Sequence, residues 1–251
     1  MPELATAREK VGLDPKRLPQ HIAVIMDGNG RWAKKQGVSR LRGHDAGAKS
    51  VRSIIETCRE LKRVESLTLY AFSTENWNRT RTEVSGLFRL LSKHIRLELD
   101  ELHEQNIRID WVGRRDGVPA KALKDMDESS ERTKDNTALR LNLALNYGAR
   151  AELVDACQSL AADVKAGRMK TSDIDEAAIA NRLYDPVTQE IDLLIRTGGD
   201  SRLSNFMLWQ ASYAEIVVTK TLWPEFRRRH LIRAIEDYQA RDRRFGGRPT
   251  R

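Results

Sequence analysis

Short apolar runs recur along this chain with amphipathic stretches between them, and this alternation restricts the fold more than any other feature. His21–Asp27 (HIAVIMD) reads as a buried strand, ended by Gly28 and Gly30. Ser66–Ser73 (SLTLYAFS), Ile107–Val112 and Leu139–Leu145 read as further strands, and Ile191–Ile195 as a short one. Between the first two, Val51, Ile54, Ile55, Cys58 and Leu61 fall on one helical stripe that begins near His44. After the second, Val84, Leu87, Phe88, Leu91, Ile95, Leu99 and Leu102 share one face of a long amphipathic helix. A further helix is expected between Val112 and Leu139, and another over Ala151–Val164; YAEIVVT, which carries Glu215, is expected to start a strand. Such alternation predicts an α/β fold, a mostly parallel central sheet flanked by helices on both faces. No repeat, low-complexity stretch or linker interrupts the pattern, so one domain is expected over residues 21–247. A polar leader (1–20), with Pro2, Pro15 and Pro19, precedes it and a short tail (248–251) follows.

A domain in a chain of 251 residues hides roughly three quarters of the surface of its unfolded chain, enough for a full core. Hydrophobic residues make up 40% and charged ones 32%, which excludes disordered and collagen-like chains. The longest unbroken apolar run, Ile22–Met26, is far short of the ~20 residues that span a bilayer. The amino terminus has no apolar core of a secretory signal. Cys58 and Cys157 have neither zinc-ligand spacing nor a disulfide framework, which fits a reduced cytoplasmic setting. The net charge of +8 is uneven: between Arg227 and Arg251 nine arginines face only Glu236, Asp237 and Asp242. That asymmetry suggests either a polyanionic partner (nucleic acid, anionic lipid or a phosphate-bearing ligand) or a solvated basic tail.

Open sheets of this kind bind ligands at the carboxyl ends of their strands, and three polar clusters are expected there. In Met26–Trp32, Gly28 and Gly30 permit a tight turn that exposes N–H groups, and Arg31 offers a phosphate a bidentate fork. A helix starting here would turn its amino-terminal dipole toward an anion. Asp27 beside such a site fits Mg²⁺ bridging carboxylate and phosphate; a plain glycine turn with Asp27 capping a helix fits the same residues. Neither GxxxxGK[ST] nor GxGxxG is matched, so a P-loop or Rossmann dinucleotide site is not expected. The second cluster, Ser73-Thr74-Glu75-Asn76-Trp77-Asn78-Arg79, either binds phosphate oxygens and orients a reacting group or forms a capped loop anchored by Trp77. In the third, Arg196, Arg202 and Ser204 flank the Gly198-Gly199 turn. Buried arginines need anionic partners, supplied by a ligand or by Asp192 and Asp200. His44 follows Arg40 and Arg42, cations that favour its neutral form, so it is expected to donate a hydrogen bond to phosphate. Glu215 alone reads as an ordinary carboxylate.

HIAVIMDGNGRWAKKQG, RxxGH, LTLYAFSTENWNR, LNLALNYG, IDLLIRTGGDSRLSNFMLWQ, YAE, LWPEF and DRRFGG together resemble, in this order, cis-prenyltransferases of the undecaprenyl diphosphate synthase type, from about His21 to Gly247. The resemblance implies Mg²⁺-dependent, consecutive condensation of isopentenyl diphosphate onto an allylic diphosphate primer such as farnesyl diphosphate. The product would be a polyprenyl diphosphate such as undecaprenyl diphosphate, a lipid-carrier precursor for cell-wall polysaccharide. It also implies a cytoplasmic homodimer that touches the inner membrane face to release product, with no nucleic acid involved. By the same resemblance Asp27 would hold Mg²⁺, while Gly28, Asn29, Gly30, Arg31, Arg40 and His44 grip the allylic diphosphate with Trp32 alongside. Ser73, Thr74, Glu75, Asn76, Trp77 and Arg79 would lie between the two substrates. Arg196, Arg202, Leu203 and Ser204 would bind isopentenyl diphosphate, and Glu215 would give a second metal contact. Arg244-Phe245-Gly246 resembles a tail motif that reaches an active site across the dimer. The family pattern makes Asn76 the proton acceptor; a neutral carboxamide lacks the basicity, so its chemistry is to orient a phosphate oxygen or water that takes the proton. The Val84–Leu102 stripe is the candidate wall of a hydrophobic tunnel for the growing chain, or simple core. Departures from the pattern are few: Ala149 replaces a second glycine after Gly148, and Ser201 stands where some members carry a histidine near the metal.

Two other classes compete. A non-catalytic partner subunit on the same fold would lack Asp27 and much of the loop after it, both of which are present here. A nucleic-acid-binding protein would interleave aromatic and basic residues on one face, whereas aromatics are 6% of this chain.

Overall fold

The computed structural model describes residues 12–185 and 190–241. All five residues of β1 (His21–Ile25) are buried, as a strand covered on both faces requires. Five more strands join it: β2 (Ser66–Ser73), β3 (Ile107–Val112), β4 (Leu139–Tyr147), β5 (Leu193–Arg196) and β6 (Glu215–Val218). They form one sheet in the order β3-β4-β2-β1-β5-β6, and every pairing is parallel. The first strand ends two residues before the expected Asp27, because the Asp27 N–H turns back to the Ile25 carbonyl at 2.9 Å.

Among the described residues seven helices flank the sheet: α1 (Asn29–Lys35), α2 (Arg40–Leu61), α3 (Arg81–Glu104), α4 (Ala120–Thr133), α5 (Ala149–Lys165), α6 (Glu176–Ala180) and α7 (Arg228–Gln239). α2 begins four residues before His44. Ser39 caps it by accepting the Arg42 N–H on its hydroxyl, and Thr80 caps α3 in the same way through the Glu83 N–H. The period-two alternation of β1 divides the core. Ile22 and Val24 pack with α2, α3, α4 and α7 on one face, and Ala23 and Ile25 with Ala149 and the Phe206–Ala211 segment on the other.

Two features of the topology place the site. From β1 the chain moves to β2 on one side and later returns to β5 on the other, so the strand order reverses at the carboxyl end of β1, where open α/β sheets leave a crevice. In β2 the pairing skips from Tyr70 to Phe72 against consecutive residues of β4, which leaves Ala71 as a bulge. A bulge re-aims the side chains around it, and Tyr70, Ala71 and Phe72 all line the cavity described below.

Candidate active site

The crevice between β1 and β5 brings together residues 169 positions apart in sequence. Arg196, the last residue of β5, has a side chain only 5% exposed and donates to Asp27 Oδ2 at 2.9 Å. It also donates to Ser204 Oγ at 2.7 Å and to Asp200 Oδ2 at 3.3 Å. Arg31, four residues beyond Asp27, pairs with the other Asp27 oxygen at 3.0 Å and donates to the Gly198 carbonyl. Arg202, 68% exposed, pairs with Asp200 at 2.8 Å. Burial opposes ionisation of Asp27, but hydrogen bonds and charge from Arg196 and Arg31 outweigh it and hold the carboxyl below its ordinary range.

Two glycines make this approach possible. Gly28 has φ +112, and a Cβ there would sit 2.9 Å from the Leu222 backbone. Gly198 has φ +83, and a Cβ there would collide with the Arg31 guanidinium. Gly28 is the N-cap of α1 and no side chain caps that helix. Asp27 therefore does not serve as the cap that the plain-turn reading required. Its backbone is pinned instead: the Thr197 hydroxyl and the Trp223 N–H both donate to the Asp27 carbonyl, at 2.6 and 3.0 Å.

Below the crevice, between α2, α3 and the sheet, lies a cavity of about 280 Å³. Asn29, His44, Asn76 and Arg79 line it on the side of the crevice. Its apolar walls include Val51, Ile55, Leu69, Ala71, Leu87, Phe88 and Leu91, and Arg52, Glu56, His94, Glu98 and Glu101 line it as well. Of the expected stripe on α3, Leu87, Phe88, Leu91, Ile95 and Leu102 reach the cavity, whereas Val84 and Leu99 pack in the core. Asn29 donates to the Met26 carbonyl at 3.1 Å, and its buried Oδ1 has no partner. Such an orphaned acceptor is costly unless a ligand or water satisfies it. Burial, then the nearby Arg79 charge, pulls the His44 pKa down to about 4, so the ring is neutral and can donate a hydrogen bond. Arg79 is held by Glu83 at 2.8 Å, and Arg40 lies 3.8 Å from the same carboxylate.

The turn after β2, a 3-10 helix over Thr74–Asn78, is the anchored loop that one of the two readings expected. Trp77 anchors it by donating to Asn146 Oδ1 at 2.7 Å and packing on Phe72 and Phe88. Asn76 Oδ1 accepts the Ser73 N–H at 3.2 Å, which leaves the amide N–H groups for the cavity. Glu75 Oε1 accepts from Asn205 at 2.8 Å. Trp32 is half-buried on α1, and Leu203 packs beside Phe206 in the second core cluster.

Other expected members are placed apart. Asp192 does not pair with Arg196; its carboxylate caps the Gln20 and His21 N–H groups at the opposite end of the sheet. Glu215 opens β6 in register with Leu193, three residues before Arg196, or about 10 Å along the strand. There it pairs with Arg241 at 2.7 Å, away from Asp27 of the same chain. Arg244 and Gly246 lie outside the described residues. Sequence reasoning underrated Asp200 and passed over Asn205. Asp200 shares Arg196 with Asp27, and only its position one residue beyond the double glycine hinted at that.

Among the described residues no three His, Cys, Asp or Glu side chains gather as a metal-binding group. Mg²⁺ is commonly held by one or two carboxylates together with substrate phosphates. Asp27, a partly exposed carboxylate beside phosphate-type donors, supplies that kind of ligand.

Arginines, uncapped N–H groups and a carboxylate above an apolar cavity define a site for an amphiphile with an anionic head, built on an open parallel sheet. Residues 25–246 match the family model described as putative undecaprenyl diphosphate synthase. An isoprenyl transferase of Heliobacterium mobile is 48% identical over 94% of this chain and 90% of its own length. A trans,polycis-polyprenyl diphosphate synthase of Thermobifida fusca (strain YX), named as (2Z,6E)-farnesyl diphosphate specific, is 49% identical over 92% of this chain and 81% of its own. Among solved structures, lavandulyl diphosphate synthase from Lavandula x intermedia, in complex with dimethylallyl diphosphate, superposes with a TM-score of 0.90 at 34% identity. That match covers 92% of this chain and 100% of the plant chain. The chain belongs to the undecaprenyl diphosphate synthase family and is a prenyltransferase.

Proposed function

We infer that this protein condenses isopentenyl diphosphate repeatedly, in cis, onto an allylic diphosphate primer such as farnesyl diphosphate. The product is a polyprenyl diphosphate such as undecaprenyl diphosphate, a precursor of the lipid carrier for cell-wall polysaccharide. The observation that carries this reading is continuity: Asn29, His44, Asn76 and Arg79 line the same cavity as the apolar side chains of α2, α3 and the sheet.

The allylic diphosphate binds to the N–H groups after Gly28, to Arg31, Arg40 and His44, with Trp32 alongside, and its hydrocarbon tail enters the cavity. Isopentenyl diphosphate takes Arg196, Arg202 and Ser204, beside Leu203. The two arginines that now hold Asp27 exchange it for phosphate oxygens, which frees the carboxylate as a ligand for Mg²⁺. When bound, Mg²⁺ neutralises charge that develops on the departing diphosphate. The allylic C–O bond breaks, a bond forms to the terminal carbon (C4) of isopentenyl diphosphate, and a proton leaves C2, so that the new double bond joins C2 and C3. Fixed guanidinium and N–H donors favour that charge-separated state most. The apolar walls keep water from the allylic cation. Asn76, whose oxygen is committed to Ser73, acts as a donor that orients the proton-accepting phosphate oxygen or water. Ser73, Thr74, Glu75, Trp77 and Arg79 shape the turn between the substrates.

A metal contact from Glu215 requires a partner protomer, since its own chain places it at the far end of the sheet; Arg244 and Gly246 would arrive the same way. The enzyme works as a homodimer at the cytoplasmic membrane surface, without nucleic acid. Among the described residues no helix is long and apolar enough to cross a membrane, so product leaves by transient contact with lipid. The test incubates purified protein and Mg²⁺ with labelled isopentenyl diphosphate and dimethylallyl, geranyl or farnesyl diphosphate. Long polyprenyl diphosphates are expected; no chain extension with any primer rejects the reading.

A further inference from the structure

We propose that Asn205 is a positioning residue that sets the distance between the arginine pole of the site and the turn bearing Asn76; this rests on the condensation reading above. The segment after the double glycine is wound unusually. Ser204, Asn205 and Met207 have φ of 50, 60 and 45, a left-handed region that non-glycine residues occupy at a cost and keep where the surroundings enforce it. Asparagine tolerates this region better than most residues, and here nearly every polar group of Asn205 is used. Its carbonyl accepts the Ala149 N–H at 2.8 Å and its Oδ1 accepts the Arg150 N–H at 2.9 Å. Its Nδ2 donates to Glu75 Oε1 at 2.8 Å. One side chain thus ties the loop after β5 to the start of α5 and to the turn after β2.

The approach is close enough to exclude any Cβ at Gly148, which would sit 2.6 Å from Thr74 Oγ1 and 2.8 Å from Asn205 Nδ2. The residues on either side of the tie carry the chemistry. Ser204, preceding Asn205, receives Arg196 Nη1 at 2.7 Å, and Asn76, following Glu75, lines the cavity. The Asn205 bond also helps hold Glu75 ionised, against the effect of its burial. Isopentenyl diphosphate must place its diphosphate at Arg196 and its reacting carbons near Asn76, so Ser204–Asn205–Glu75–Asn76 is the protein's ruler for that substrate. Displacements on the order of 1 Å in such a ruler cost about a hundredfold in rate.

The test reverses the hydrogen bond. Asn205→Asp sets two carboxylates against each other; adding Glu75→Gln restores a donor–acceptor pair with opposite polarity. With farnesyl and isopentenyl diphosphates, Asn205→Asp is expected to lower kcat about tenfold or more while the KM for the primer changes little. The double variant is expected to recover to near the level of Glu75→Gln alone. The same pattern is expected in the affinity for inorganic pyrophosphate by calorimetry, a readout that stands even if the parent protein extends no primer and the condensation reading fails. Parent-like behaviour of Asn205→Asp, or a double variant no better than Asn205→Asp by either readout, overturns the proposal.

Discussion

Arg196 shares its buried guanidinium among Asp27, Asp200 and Ser204, so neutralising one partner does not strand the charge. Asp27→Asn should therefore leave the melting temperature almost unchanged. Turnover should still fall about a hundredfold or more, the usual loss when one preorganised electrostatic group is removed. Near-normal turnover of a folded Asp27→Asn protein would remove Asp27 from the mechanism. The two arginines of the β5 loop are not equivalent tests. Arg196→Ala leaves Asp27 and Asp200 without their buried partner and should lower stability as well as activity. Arg202 is exposed and pairs only with Asp200 among the described residues. Its loss should cost less than about 1 kcal/mol of stability and raise the KM for isopentenyl diphosphate well above that for the primer. Steady-state kinetics with each substrate varied in turn checks this; equal shifts in both constants would argue for a purely structural Arg202.

Among the elements, α2, α3 and the bulge in β2 decide the shape of the cavity. Ala71 is the smallest residue at that bulge and lines the cavity together with Leu69, Leu87 and Leu91. Ala71→Leu should shift products toward shorter chains at similar rates for the first condensations, because bulk there meets only a chain that has begun to grow. Chromatography of the products would show this, and an unchanged length distribution would mean that the chain takes another path. Much of this architecture was legible in advance. The stripes on α2 and α3 were visible as helical periodicity, since amphipathic helices write their buried face into the spacing of apolar residues. The bulge was not, because a single extra residue leaves the apolar content of SLTLYAFS unchanged.

For the whole molecule, acidification should reveal two neutral histidines, buried His21 and half-buried His44. Burial lowers the pKa of His21 and, with the Arg79 charge, takes that of His44 down to about 4. The unfolded chain then binds more protons than the folded one below about pH 6.5, the ordinary histidine value. Stability therefore rises with pH across this window and is lost as pH falls from about 6.5, with the His44 share exhausted near its folded pKa of about 4. Melting curves of the substrate-free protein between pH 7 and 4 should show this decline, and His44→Gln should flatten part of it. A decline of the same size in His44→Gln would assign it to other groups. By itself the sequence determined the α/β sheet, helices α2 to α5 and the three polar clusters at strand ends, because apolar periodicity and glycine-rich turns are local properties of the chain; α6 and α7 were not legible in it. Tertiary structure alone decided which cluster members meet. Arg196 chose Asp27 and Asp200 over Asp192, and Glu215 was set at the far end of the sheet from Asp27, because strand order and register determine distance in ways that no short stretch of sequence encodes.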